Sequence, residues 1–286
     1  MTPSSPTAAV RVADPALFDG LVDDAAVFPP GNAPLDQAVR LHRFHRASAY
    51  ASMVGPLLVP VASAQQLEPV AAASAGALTA DLAVALVARP GVPVAEVEAA
   101  VTTLEAAVGV VAVGVEMAWT PSWRDAALGG LPLTLEVPRG DAQPSALDDL
   151  RGEDTVQAKF RTGATPTWHW PDEAELAGFV VAAVGRGVPF KLTGGLHHLV
   201  RGTRAEGEQH GLLNVLLAVH AALDGAPQPE LAAVLADRDT EALVRRTGLL
   251  GPEEATRLRA TFTAYGCCEV TDPIGELTAR RLIEGA

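Results

Sequence analysis

The chain has 286 residues, 49% of them hydrophobic, and a formal net charge of −13 at pH 7. So much apolar content excludes a largely disordered chain. The acidic balance excludes non-specific nucleic-acid binding and attraction to an anionic membrane surface, both of which need a basic face.

Residues 1–15 read as a flexible extension that lacks the apolar segment of a secretory signal. Residues 16–286 then read as one domain. Strand-like apolar runs fall at 25–28, 57–61, 82–87, 110–117, 133–137, 156–160, 189–192 and 264–268. Helical patterns lie between them, at 35–53, 63–74, 94–108 and 172–186, the last with Asp and Glu in its first turn. Several runs look apolar on both faces, as strands buried beneath helices must be. Residues 195–263 carry no strand pattern; four helical segments are expected there, at 208–223, 229–235, 240–247 and 252–262. Repeated strand-then-helix units predict a (β/α)8 TIM-type barrel, with a helical insertion at 195–263 between strands seven and eight. No uncharged apolar stretch reaches membrane-spanning length. The adjacent Cys267 and Cys268 exclude a disulfide framework, so a cytoplasmic protein is expected.

Barrels of this type place their chemistry at the C-terminal ends of the strands. Strand four carries Glu116 and strand five Glu136 there. Strand six gives Lys159 and Arg161; strand seven gives Lys191, then His197, His198 and Arg201. Strand eight brings the two cysteines, read as small core or pocket residues. Asp23 and Asp24, just before strand one, are within reach of the pocket but read first as solvated loop carboxylates, and His42 and His45 read as surface groups on a half-exposed helix.

Of 21 cationic side chains only two are lysine, Lys159 and Lys191. An ammonium can lose its proton when desolvated and attack a carbonyl, whereas a guanidinium stays charged. Adjacent strands lie about 4.8 Å apart, so the two ammonium groups are expected roughly 6 Å apart. Their repulsion, about 3 kcal/mol at an effective dielectric near 20, would pull a lysine from about 10.4 toward neutrality.

Lys159-x-x-Thr162-Gly163 and Lys191-x-x-Gly194-Gly195, on consecutive strands, resemble the class I (Schiff-base) aldolase barrels, deoxyribose-phosphate aldolase and its relatives. The resemblance implies that Lys159 is the Schiff-base nucleophile and Lys191 the neighbouring cation that depresses its pKa. The last strand, around Tyr265-Gly266-Cys267-Cys268-Glu269, and the long helical insertion depart from that family's pattern.

A second constellation follows strand seven. Gly163, Gly194 and Gly195 offer backbone amides to an anion, and Arg161, Thr162 and Arg201 add to that pocket. His197 and His198 suit acid/base work near neutral pH. His210 and Asn214, four apart on an expected helix, would face the same pocket. A metal, if bound, would take His197, His198 and His210, although no diagnostic metal spacing occurs. Trp168-His169-Trp170 reads as a substrate wall or as aromatic packing.

The expectation is a lyase, aldolase-like, forming a lysine imine with a small anionic carbonyl substrate and requiring no cofactor. Lys159, Lys191, Glu116, Glu136, His197 and His198 are the candidate catalytic groups. The alternatives are a metal- or acid/base-dependent isomerase or hydrolase on the same scaffold, and a non-catalytic ligand-binding barrel. Assembly into a homo-oligomer is left open.

Overall fold

A computed structural model describes residues 11–76, 80–165, 168–205 and 207–284. Eight parallel strands close into a barrel: β1 (Val22–Asp24), β2 (Val54–Pro60), β3 (Leu82–Val87), β4 (Val110–Ala118), β5 (Leu133–Glu136), β6 (Val156–Arg161), β7 (Phe190–Thr193) and β10 (Phe262–Cys267). The order around the barrel is β1-β10-β7-β6-β5-β4-β3-β2, so β10 closes the ring between β7 and β1. This is the expected (β/α)8 architecture. The helices α1 (Leu35–Arg46), α2 (Ala64–Ser74), α3 (Val94–Glu105), α4 (Gln143–Leu150) and α5 (Glu173–Arg186) connect successive strands, and α10 (Thr271–Ala279) follows β10. Among the described residues no helix is long and apolar enough to cross a membrane.

Alternation on β6 explains how the barrel sorts its side chains. Phe160 joins Phe179, Phe190 and Phe262 in a buried aromatic row, with ring centroids 4.6, 5.1 and 5.7 Å apart. That row glues β6, β7 and β10 to α5. Residues of the opposite parity, Gln157, Lys159 and Arg161, make polar contacts with other strands, as a period of two demands. The strand is therefore apolar toward the helices and polar toward the lumen, not apolar on both faces.

Three sequence expectations shift. The first strand is Val22–Asp24, not 25–28. Carboxylates are poor strand formers, but both of these are buried and paired, and Ala25 to Phe28 follow as the loop. The insertion contains an antiparallel hairpin, β8 (Gly202–Arg204) and β9 (Gly207–Gln209), before the helices α6 (Leu212–Leu223), α7 (Gln228–Ala236), α8 (Thr240–Thr247) and α9 (Pro252–Thr261). The helix expected from 208 thus begins at Leu212, and His210 lies outside it. Gly211 sets that boundary: a Cβ there would collide with the backbone of Val200 and Arg201.

Of the N-terminal segment expected to be flexible, residues 1–10 lie outside the described residues. Beyond them, Asp14 caps a short 3-10 turn, and the buried Ala13 donates its N–H to the Leu282 carbonyl at 2.9 Å.

Candidate functional site

The lumen holds a closed set of charges. Glu116 reaches from β4 to two lysines on β6 and β7. Its Oε2 accepts from Lys159 Nζ at 3.1 Å, and its Oε1 accepts from Lys191 Nζ. Lys191 also donates to Asp23 of β1, on the other side of the lumen. Lys159 lies 3.0 Å from Glu136 Oε2, and Arg161 binds both oxygens of Glu136 at 2.8 and 3.1 Å. Lys159 and Lys191 are register partners, and both are almost fully buried, 3% and 2% exposed. The two expected amines therefore converge, with a carboxylate between them.

That carboxylate reverses the expected electrostatics. Burial pulls the Lys191 pKa down, but the charges and hydrogen bonds of Asp23 and Glu116 outweigh it and hold Lys191 above the ordinary lysine value. The expectation that ammonium repulsion would bring it toward neutrality fails at Lys191, because two anions stand closer than the other cation. Burial also pushes Glu116 up, yet Lys191 and Lys159 together bring it down to about 2. Glu136 is lowered for the same reason, by Lys159 and Arg161 against its burial. Asp23 moves the other way: its burial outweighs one ammonium that Glu116 shares.

Asp23, read first as a solvated loop carboxylate, is instead buried in the site against Lys191. The available signal was an acidic pair inside the apolar run Leu21 to Phe28. Its place depends on Gly55 of β2, where a Cβ would collide with the Asp23 carboxylate. Asp24 is spent elsewhere: its Oδ2 lies 3.0 Å from His42 Nδ1, with both side chains buried. His45 is buried too, against the Tyr50 hydroxyl at 3.0 Å. Neither histidine is a surface group, because α1 turns that face onto the barrel.

The lumen is lopsided. Ala25, Leu58 and Ala85 form a small apolar cluster with Phe28 and Val87 against it. This lies on β2, β3 and the loop after β1, while the charges occupy β4 to β7 and, through Asp23, β1.

The glycines expected to meet an anion bring two loops together. A Cβ on Gly163 would lie 2.7 Å from the Gly194 carbonyl oxygen, so these glycines let two loops touch. Thr162 latches them, its hydroxyl reaching the carbonyls of Thr193 at 3.2 Å and Gly194 at 3.0 Å. Gly195 has φ 121° and packs near Trp170. Trp168 lies under the Arg139 guanidinium, 5.1 Å from its ring centroid, and Arg139 is bound to Glu175.

Arg201, His210 and Asn214 form a separate buried knot in the insertion. Arg201 pairs with Glu173 at 2.5 Å; its NH1 group donates to His210 Nδ1 at 3.2 Å, and His210 Nε2 donates to the Pro171 carbonyl at 2.9 Å. Asn214 accepts from the Arg201 amide and donates to the carbonyls of Val234 and Asp237. These three residues staple the insertion to the start of α5.

His197 and His198 diverge. His198 Nδ1 lies 2.7 Å from Glu276 Oε1, beside a flank recess of about 360 Å³ lined by Leu199, Arg204 and Thr240 among others. His197 sits over Cys267 and Cys268. The trio His197, His198 and His210 therefore does not converge as metal ligands. Among the described residues no group of three or more His, Cys, Asp and Glu side chains is placed to hold a metal ion.

Comparison with known protein families and with curated proteins gives no match to this chain. The fold and the lumen chemistry are what remain to carry a functional reading.

Proposed function

We propose that the chain is a small-molecule enzyme of lyase type, aldolase-like, that forms an imine between Lys159 and a small carbonyl compound. One observation carries this reading: the Glu116 carboxylate spans two buried lysines on neighbouring strands of a closed parallel barrel. Its two oxygens divide the roles. Lys191, bound by two carboxylates and held protonated, is the fixed cation. Lys159, on longer contacts of 3.0 and 3.1 Å, is the nucleophile. Lys159 Nζ passes a proton to Glu136 and adds to the substrate carbonyl; the proton returns through Glu116 to the carbinolamine hydroxyl, which leaves as water as the iminium forms. Cleavage of the C–C bond next to it sends the electron pair into that iminium, with Glu136 or Glu116 taking the hydroxyl proton. Arg161, half-buried at the rim, is the group for an anionic substituent once substrate competes for Glu136. Arg201 plays no part, being tied up in the insertion.

The test is reductive trapping. Borohydride with pyruvate, glyoxylate and glyceraldehyde 3-phosphate should leave a mass adduct that maps to Lys159. The adduct should vanish in Lys159→Arg. Adducts confined to the N-terminal amine, or none with any carbonyl offered, would rule the imine out.

A second reading has its own support. Asp23, Glu116 and Glu136 balance Lys159, Lys191 and Arg161 in charge, so the set is closed on itself. Such a network suits a non-catalytic barrel whose lumen fixes the fold. It gains if no carbonyl adds while the wild-type protein stays folded through the reaction.

A further inference from the structure

We propose that Cys268, His197 and Asp272 form a second reactive centre at the barrel mouth, a thiol nucleophile that takes acyl groups from thioesters or activated esters. It is independent of the lysine reading, since it uses neither lysine nor any lumen carboxylate.

The geometry is that of a nucleophile, a base and an orienting acid. Cys268 Sγ lies 3.5 Å from His197 Nε2, and the other ring nitrogen, Nδ1, lies 3.4 Å from Asp272 Oδ2. A base within reach of the nucleophile and held by a third group is the arrangement that activates a weak nucleophile. Two elements bring it together. Cys268 follows the last residue of β10, and Asp272 is in the first turn of α10. His197 hangs from the loop after β7. The preceding Leu196 is buried and has φ 60°, a left-handed backbone that a bulky residue seldom takes. That conformation aims the imidazole, and such outliers gather at sites that need a fixed side chain.

The adjacent thiol does not serve equally well. Cys267 is fully buried, and its thiol donates to the Glu269 carbonyl at 3.2 Å. Its sulfur is 3.6 Å from Nδ1, the nitrogen that faces Asp272. Cys268 is the partly exposed one. The Gly31 amide hydrogen-bonds its sulfur and favours the thiolate, while burial, the larger influence, keeps the resting thiol protonated. A neutral thiol needs the base that His197 supplies.

The step balances. As Sγ adds to the acyl carbon, the thiol proton passes to Nε2. The leaving alkoxide or thiolate departs with that proton, which leaves an acyl thioester on Cys268. Water, deprotonated by the same nitrogen, adds to this thioester and releases the carboxylic acid and the free thiol.

The probes are p-nitrophenyl acetate and the acetyl thioester of N-acetylcysteamine, with site mapping by mass spectrometry on the full chain. One hydroxylamine-labile acetyl group on Cys268 is expected. Cys267→Ser should keep it and Cys268→Ser should lose it. His197→Gln should slow acetylation about 100-fold, the usual scale of general-base assistance, and Asp272→Asn by a smaller factor. The wild-type map decides without any variant: acetyl confined to Cys267, to lysine or to the N-terminus, or none, overturns the assignment. So does an unchanged rate in a His197→Gln protein that melts like wild type.

Discussion

Glu116 gives one carboxylate oxygen to each lysine of the chain: Oε2 to Lys159 at 3.1 Å, and Oε1 to Lys191. This one side chain converts two like charges, which would repel across neighbouring strands, into a buried network spanning five strands. Its removal should therefore do more than delete two hydrogen bonds.

Glu116→Gln leaves two buried ammonium groups short of an anion. Breaking a buried pair from one side costs about 3–5 kcal/mol. Urea denaturation should show a loss of that size, and a variant within about 0.5 kcal/mol of wild type would mean the lumen charges are already solvated.

The acid limb of stability follows from the same group. Glu116 titrates near 2 when folded, against an ordinary 4.5. Between those values the unfolded chain binds more protons, so stability is fully present above about pH 4.5 and drains away as pH falls toward 2. The difference corresponds to about 3 kcal/mol. Glu136, also lowered, adds in the same direction, whereas Asp23, raised by burial, opposes it. Denaturation curves from pH 7 to 3 should show the gap between wild type and Glu116→Gln narrowing as pH falls. Lys191, held above its ordinary value, keeps its contribution at neutral pH and loses it only on the alkaline side.

His210 supplies a second pH dependence, in another window. Burial first, then the Arg201 charge, lowers its pKa from 6.5 to about 4, against the Pro171 carbonyl. The folded chain thus keeps it neutral where the unfolded chain protonates it. Stability should be whole above about pH 6.5 and fall by roughly 3 kcal/mol on the way to pH 4. Titration by NMR should find the His210 imidazole still neutral at pH 5, and His210→Gln should flatten that part of the stability curve.

The contact between the β6 and β7 loops admits a direct steric test. Gly163→Ala would press a methyl 2.7 Å from the Gly194 carbonyl oxygen and should cost about 1–3 kcal/mol. Thr162→Val removes the hydroxyl latch to Thr193 and Gly194 and should cost about 1 kcal/mol. Thermal melts of both variants check the order; a neutral Gly163→Ala would show that the loops stand apart.

The sequence by itself determined the barrel. Seven of its strands and most helices of the insertion are marked by apolar runs, breakers and acidic first turns, which are local signals. It also singled out Lys159, Lys191, Glu116 and Glu136, because charged residues ending apolar strands are rare enough to notice. The polar parity of Gln157, Lys159 and Arg161 escaped it, because strands of this kind read as apolar on both faces.

Only the tertiary structure decided what those charges meet. Asp23 lies 168 positions from Lys191 along the chain, and no local pattern says that closure of β10 against β1 brings them into one lumen. Without that partner the lysine reads as a cation repelled by its neighbour; with it, the lysine is held charged. The same holds for His42, which α1 turns onto Asp24, and for His197, which the loop after β7 delivers to Cys268 and Asp272 from about 70 positions away. Strand propensity acts between neighbours in sequence, whereas electrostatic free energy depends on distances through space that only closure of the ring fixes.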